Sequence, residues 1–282
     1  MASRRMQERE WRAMLANFER TIGPQFEREF AKALRRYAPT AEIAAALVRG
    51  DYAAAAGMLA EVGEAFQAPL SEAISQAITQ GVEITASHLP KEIKHVNFVP
   101  SPRVQEYLAG RLGEAITVNA DVEVVRRWAE TGLTTGQNPE WVAQRIRDSI
   151  GLSEPYDRAV YNRYLKLIED GYSKSEASAI AARYADDLLT TRARTIARTE
   201  MGRAAGFARQ EYWLQSAAEG AIPADIKRAW ITALDEIVGE DHRQMHGVEV
   251  GLGEPWNTPN GNSVMIPEDD RPNCRCTTAL AV

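Results

Sequence analysis

From Trp11 to Leu34 the chain places apolar residues at Trp11, Leu15, Phe18, Ile22, Phe26, Phe30 and Leu34, a three-to-four residue spacing that lines one face of an α-helix. Gly23-Pro24 falls inside this run. Proline is accepted in a first helical turn but not in an interior, so the pattern predicts two helices in series or a sharp kink. Thr40 and Asp51 have N-cap chemistry ahead of two short alanine-rich helices, and Pro69 is expected to open another, carrying Leu70, Ile74, Ile78 and Val82. Residues 1–90 therefore read as an N-terminal helical unit.

The stretch HLPKEIKHVNFVPSPRV, residues 88–104, breaks the pattern with prolines and a short apolar run at Val96 to Val99, and it is the expected domain boundary. Beyond it a helical body is expected over 91–220. Asn138-Pro139 reads as a cap followed by proline at the first helical position. Gly171 closes a helix through Tyr161, Leu165 and Ile168, and Ser173 with Glu176 has capping-box spacing. DLLTTRARTIARTEMGRAAGFARQEYW, residues 187–213, is the longest helix expected. Ala193, Ala197, Met201, Ala204 and Ala208 give it a small-residue face suited to close packing. After Gly220-Ala221-Ile222-Pro223 the pattern changes again. AWITALDE and GVEVG read as short strands, and the glycines, prolines and asparagines of 251–263 as turns and loops. The fold expected is α+β, a predominantly helical body with a small β-containing C-terminal cap over 221–282.

Composition narrows the function classes. A hydrophobic fraction of 45% and a charged fraction of 26% are those of a globular chain. The N-terminus MASRRMQEREWRAML lacks the apolar core of a secretory signal, and IAAALVRGDYAAAAGMLA is interrupted by Arg49 and Asp51, so a cytosolic product without a membrane anchor is expected. A net charge of −6 argues against a surface that grips nucleic acid as a whole, so contact with DNA has to be local. Arg194, Arg198 and Arg209 form such a local strip, and arginines on a rigid helix can meet phosphates. The plainer reading is a solvated face, or pairing with Glu200 and Glu211, and the overall charge favours it.

The chain's 2 cysteines, Cys274 and Cys276, stand together in NCRC. Too few for a disulfide framework, they fit metal binding or plain burial. His242 and His246 have the i, i+4 spacing that puts two side chains on one helical face, so His242, His246, Cys274 and Cys276 are a candidate Cys₂His₂ cage for structural zinc. Two other readings use the same region. One is a nucleophile, with Cys274 attacking, His242 as base and Asp235 orienting it; the other is a metal-dependent nuclease centre of His242, His246 and Asn273. No local signal supplies an oxyanion hole for the first, and the residue types of the second are too common to identify a site.

NFVPSPRVQEYLAGRLGEAI, the Asn138-Pro139 helix start and IARTEMGRAAGFARQEYW are followed in order by a tryptophan strand, Asp235, DHRQMHG, MIP and NCRC. Over residues 97–282 this series resembles the phage head morphogenesis family, the Mu F-like minor head proteins. The resemblance implies a non-catalytic minor capsid protein, made in the host cytoplasm and built into the head interior during procapsid assembly. Its implied partners are the portal protein and other head proteins, with double-stranded DNA a further candidate during packaging or ejection. The family often has a CxxC where this chain has the region around His242, so a shared metal site would use different ligands here. Some relatives carry a C-terminal toxin domain, and none is expected after Cys276. The helices of residues 1–90 lie outside the resemblance and are the candidate docking region, although Trp11, Phe18, Phe26 and Phe30 read first as core. The opposing expectation is a metal-dependent hydrolase or nuclease acting at the C-terminal cap.

Overall fold

The computed structural model describes residues 4–90, 97–99, 101–104, 106–107, 122–149, 152–233, 235–236 and 238–281. Residues 91–96 and 100 of the expected boundary, and most of the run VQEYLAGRLGEAI, lie outside the described residues. The helices are α1 (Arg4–Tyr37), α2 (Thr40–Val48), α3 (Tyr52–His88), α4 (Val122–Thr135), α5 (Pro139–Ser149), α6 (Glu154–Glu169), α7 (Lys174–Ala218) and α8 (Glu240–Gln244). The strands are β1 (Lys227–Ile231), β2 (Glu249–Gly251), β3 (Trp256–Asn257), β4 (Ser263–Val264) and β5 (Thr277–Ala281). The architecture is the α+β expected, helical with a small antiparallel sheet at the C-terminal end. Among the described residues no helix is long and apolar enough to cross a membrane.

Local signals set several boundaries. The Asn138 side chain accepts from the Trp141 backbone N–H at 2.8 Å and starts α5 with Pro139 in its first turn. Ser173 and Glu176 close a reciprocal box, Ser173 N–H donating to the carboxylate at 3.0 Å and Glu176 N–H to the hydroxyl at 3.3 Å. Gly171, at φ +89°, ends α6 while Tyr172 N–H returns to the Leu167 carbonyl. Asp51 caps α3 through Ala54 N–H, whereas the N-cap of α2 is Pro39, with Thr40 the first helical residue.

Pro69 behaves differently from expectation, and at Pro24 the chain forms one helix rather than two in series. Pro24 lies inside α1 and Pro69 inside α3, so neither starts a helix. Each removes a backbone donor and costs about 3 kcal/mol in a helix interior. Burial next to each offsets that cost: Phe26 is buried two residues after Pro24, and Phe66 and Leu70 flank Pro69, with the Phe26 and Phe66 rings edge-to-face at 5.0 Å.

The chain divides into two compact units, each assembled from separated stretches: Met1–Ile22, Ser71–Gly113 and Thr195–Val282 make one, Gly23–Leu70 and Glu114–Arg194 the other. This division differs from the contiguous 1–90, 91–220 and 221–282 segments expected, because long helices contribute to both units. The second unit packs α2, α4, α5 and α6 around Trp128. That ring is fully buried, donates to Asp157 at 3.1 Å and meets Trp141 and Tyr161 edge-on. Arg127 pairs with the same buried Asp157.

The first unit brings the start of α1, the end of α3 and the later part of α7 against the terminal sheet. Ala197, Met201, Ala204 and Ala208 of the predicted small-residue face are fully buried, and Ala193 partly so. Its use is visible at Gly81, where a Cβ would lie 2.7 Å from the Ala205 carbonyl oxygen, so α3 and α7 touch backbone to backbone. Trp11 and Phe18 of α1 are core, 0% and 1% exposed. In the sheet β1 is central, antiparallel to β2 and β5, pairing Arg228 with Val250 and with Leu280; β3 and β4 form a separate ladder. Strands β3, β4 and β5 arise where loops, or nothing, had been expected.

Because the first unit draws on α1 and α3, a chain beginning at residue 97 loses Trp11, Phe18 and Gly81 from that core. It is expected to lack cooperative thermal unfolding and near-ultraviolet circular dichroism; a sharp transition close to that of the full chain would contradict the interleaved packing.

Candidate functional site

Helix α8 is short, opened by Gly239 in extended conformation and ended at Met245. It carries His242, which is 1% exposed, beneath β1. The return of the chain through Asn273, at φ +59°, and into β5 brings Cys274 and Cys276 to the same point. His242 Nδ1 stands 3.3 Å from Cys276 Sγ and 3.5 Å from Cys274 Sγ, and Cys276 N–H donates to Cys274 Sγ at 3.4 Å. Trp230 meets the imidazole edge-on at 5.1 Å, and Trp230, Trp256 and Met245 close the apolar side of the cluster. On its other side lies a cavity of about 120 Å³ lined by His242, Arg271, Asn273, Cys274, Arg275 and Cys276 among others.

The other imidazole nitrogen has its own partner. His242 Nε2 is 2.6 Å from Asp270 Oδ2, and Asp270 also accepts from Thr258 Oγ1 at 3.1 Å, Asn260 Nδ2 at 3.0 Å and Asn262 Nδ2 at 2.9 Å. Burial pushes the Asp270 carboxyl up, but the bonds from Asn262, His242, Asn260 and Thr258 outweigh it and hold the group below its ordinary value. Burial likewise pushes His242 down, yet its bonds to Cys276 and Asp270 leave it raised. Cys276 is lowered to about 5, first by the hydrogen bond from Cys274 and then, against burial, by His242; Cys274, which donates that bond and is itself buried, is raised.

Of the residues read from sequence, the structure gathers His242, Cys274 and Cys276 and leaves His246 out. His246 is exposed, and its Nδ1 accepts from Thr232 N–H at 3.1 Å. The four-ligand cage is corrected on this point: α8 ends at Gln244, so the i, i+4 face that would have aligned the histidines does not extend to His246. Asp235 is not the residue that orients His242, since its carboxylate pairs with Arg275 at 2.7 Å, and Asp270 takes that place. Nor does Asn273 join two histidines. It receives Arg198 at its side chain and donates its backbone N–H to Thr199. Asp270, Thr258, Asn260 and Asn262 were missed. The only sequence signal for the last three was the polar density of TPNGN, which reads equally as a turn.

The arginine strip also comes apart. Arg194 is exposed, while Arg198 pairs with Glu19 and donates to Asn273 at 3.1 Å. Arg209 is 0% exposed, its guanidinium 3.7 Å from the Trp11 ring centroid. It donates to Thr277 Oγ1 at 2.6 Å, the Thr278 carbonyl at 2.7 Å and Thr85 Oγ1 at 3.3 Å. A residue so enclosed offers nothing to a phosphate, so its place in a DNA-binding strip is corrected. Burial pushes Arg209 down and the neighbouring Glu268 up, each charge opposing the shift of the other. Glu268 rests on Gly206, where a Cβ would lie 2.9 Å from its Oε2.

A family model described as Phage Mu protein F like protein matches residues 123–279, more than half of the chain, from α4 into β5. The match begins after NFVPSPRVQEYLAGRLGEAI and includes His242, Asp270, Cys274 and Cys276. No curated protein and no solved structure matches the chain.

Arg209 and Arg194 are expected to separate in a single experiment. Arg209→Gln strands the Thr85, Thr277 and Thr278 oxygens in the core and should cost about 3 kcal/mol of stability, whereas Arg194→Gln should leave the thermal midpoint near that of the parent. Equal, small effects in denaturant titration would contradict the structural role of Arg209.

Proposed function

Because the chain belongs to the Phage Mu protein F like family, we propose that it is a non-catalytic minor component of a phage head, assembled on the inner side of the procapsid beside the portal. The observation that carries the reading is the extent of the family match, which runs from the tryptophan-centred helices through the long helix α7 to the His242, Cys274 and Cys276 cluster. Head morphogenesis follows from the family; the place beside the portal rests on the resemblance to minor head proteins. A part in packaging or ejection of double-stranded DNA follows from that position rather than from the arginine strip, of which Arg209 is interior. Burial of both sulfurs, at 6% and 1% exposure, supports a structural use of the cysteines over attack on a bulky substrate. Recruitment is assigned to the outward faces of the helices within residues 1–90, because their large aromatic residues Trp11, Phe18 and Phe26 are spent on the core. Synthesis in the host cytoplasm precedes incorporation.

The test is procapsid composition. Heads are assembled in cells with and without the portal protein, banded on a gradient and quantified by mass spectrometry. The chain should be present in few copies relative to the shell protein and should be lost when the portal is omitted. Its absence from heads would overturn the head reading, and incorporation independent of the portal would overturn the placement.

A further inference from the structure

His242, Cys274 and Cys276 do more than pack against one another. In a tetrahedral zinc site with bonds of about 2.0–2.1 Å to nitrogen and 2.3 Å to sulfur, a nitrogen and a sulfur ligand lie about 3.6 Å apart. The separations of His242 Nδ1 from Cys276 Sγ and Cys274 Sγ, 3.3 and 3.5 Å, are close to that edge length before any ion is considered. All three ligand atoms lie within 4.8 Å of one another. The second nitrogen is held as metal-binding histidines usually are. Asp270 accepts a hydrogen bond from Nε2–H at 2.6 Å and is fixed by Thr258, Asn260 and Asn262, which turns Nδ1 to the sulfurs as the ligand atom.

We infer that the C-terminal cap binds one zinc ion through His242 Nδ1, Cys274 Sγ and Cys276 Sγ, with Asp270 as the positioning carboxylate and the fourth coordination position turned to the adjoining cavity. Zinc takes both sulfurs as thiolates and Nδ1 as a neutral nitrogen, and any proton still held on these atoms passes to solvent on binding. Two sulfurs and a nitrogen select zinc over magnesium or calcium, which prefer oxygen. A second grouping, Asp241, His242 and Asp270, uses the opposite nitrogen. It is the poorer donor set, because Asp270 is already occupied by amide and hydroxyl donors and Asp241 pairs with Arg271 at 3.1 Å. The cavity side carries Arg271, Asn273 and Arg275, so the group completing the tetrahedron is water or a small anion rather than a fourth side chain from this cluster. The ion would join α8 to the start of β5, closing a cap made of short strands and turns.

The inference is independent of a place in the phage head and is tested on the purified full chain under reducing conditions. Metal analysis after exposure to zinc and gel filtration should give about one zinc per chain. Cobalt(II) in its place should give thiolate charge-transfer bands and the visible bands of a tetrahedral site. His246→Ala should keep both signals, Cys276→Ser should lose the charge-transfer intensity of one thiolate, and Asp270→Asn should weaken zinc binding about 10- to 100-fold in chelator competition. Should Cys276→Ser fail to fold, the parent protein still decides the matter, because added zinc must raise its thermal midpoint and a chelator must reverse the rise. Zinc-free protein with no cobalt spectrum would overturn the site, and loss of binding in His246→Ala would overturn the three-ligand assignment.

Discussion

The structure turns on a cation without water. Arg209 stands in the interior of the unit that carries the terminal sheet, and a guanidinium there is tolerated only if its N–H groups and its charge are met. Threonines 85, 277 and 278 take Nε and Nη1 and the face of Trp11 takes the charge, while Nη2 is buried with no hydrogen-bond partner among the described residues. Those partners belong to α3, β5 and α1, so one side chain of α7 fixes three further elements. Arg228 repeats the arrangement from the sheet side. It lies 4.1 Å from the Trp256 ring centroid, donates to Gln210 of α7 at 2.7 Å and reaches the Met265 and Glu254 carbonyls, and burial pushes it down to about 10. With hydrogen-bond directions fixed in this way, β1 and β5 have little freedom to slide along the helix.

The cysteine cluster depends on this anchoring. Cys276 immediately precedes β5, whose first residues Thr277 and Thr278 are the ones Arg209 holds, so the sulfur is placed by contacts made to its neighbours in sequence. Opposite it, His242 is placed by a helix of a single turn and by a carboxylate that three polar side chains hold still. The result is a rigid arrangement of a nitrogen and two sulfurs built on a short sheet. Rigidity of this kind suits an ion or a lasting structural contact.

What the sequence made legible was whatever a few neighbouring residues decide. The Asn138 cap, the Ser173 and Glu176 box and the Gly171 stop are local hydrogen-bond problems, and each was solved as the residue types indicate. The small-residue face of α7 was legible for the same reason, since periodicity alone defines it. Misreadings came where a distant partner decides. Pro69 read as a helix start, and Pro24 as a junction of two helices or a kink, because the packing of Phe26, Phe66 and Leu70 that carries the helices past them is tertiary. Arg209 read as part of a surface strip because helical spacing gives a direction around the axis but not what covers it. His246 read as a ligand because its spacing assumed a helix that ends too soon, with Gly247 at φ +83° turning the chain away. Asp270 could not be found, since its link to His242 closes across the intervening strands β2, β3 and β4.

The claim underlying all of this is that the terminal sheet and the helices of its unit open as one structure because Arg209 joins them. Amide hydrogen exchange on the unmodified full chain measures this directly. The amides of Thr277 to Ala281 in β5 should exchange with the same opening free energy as those of α7 around Arg209, and both should respond equally to low denaturant. Release of β5 at a distinctly lower free energy, while α7 stays protected, would contradict the account.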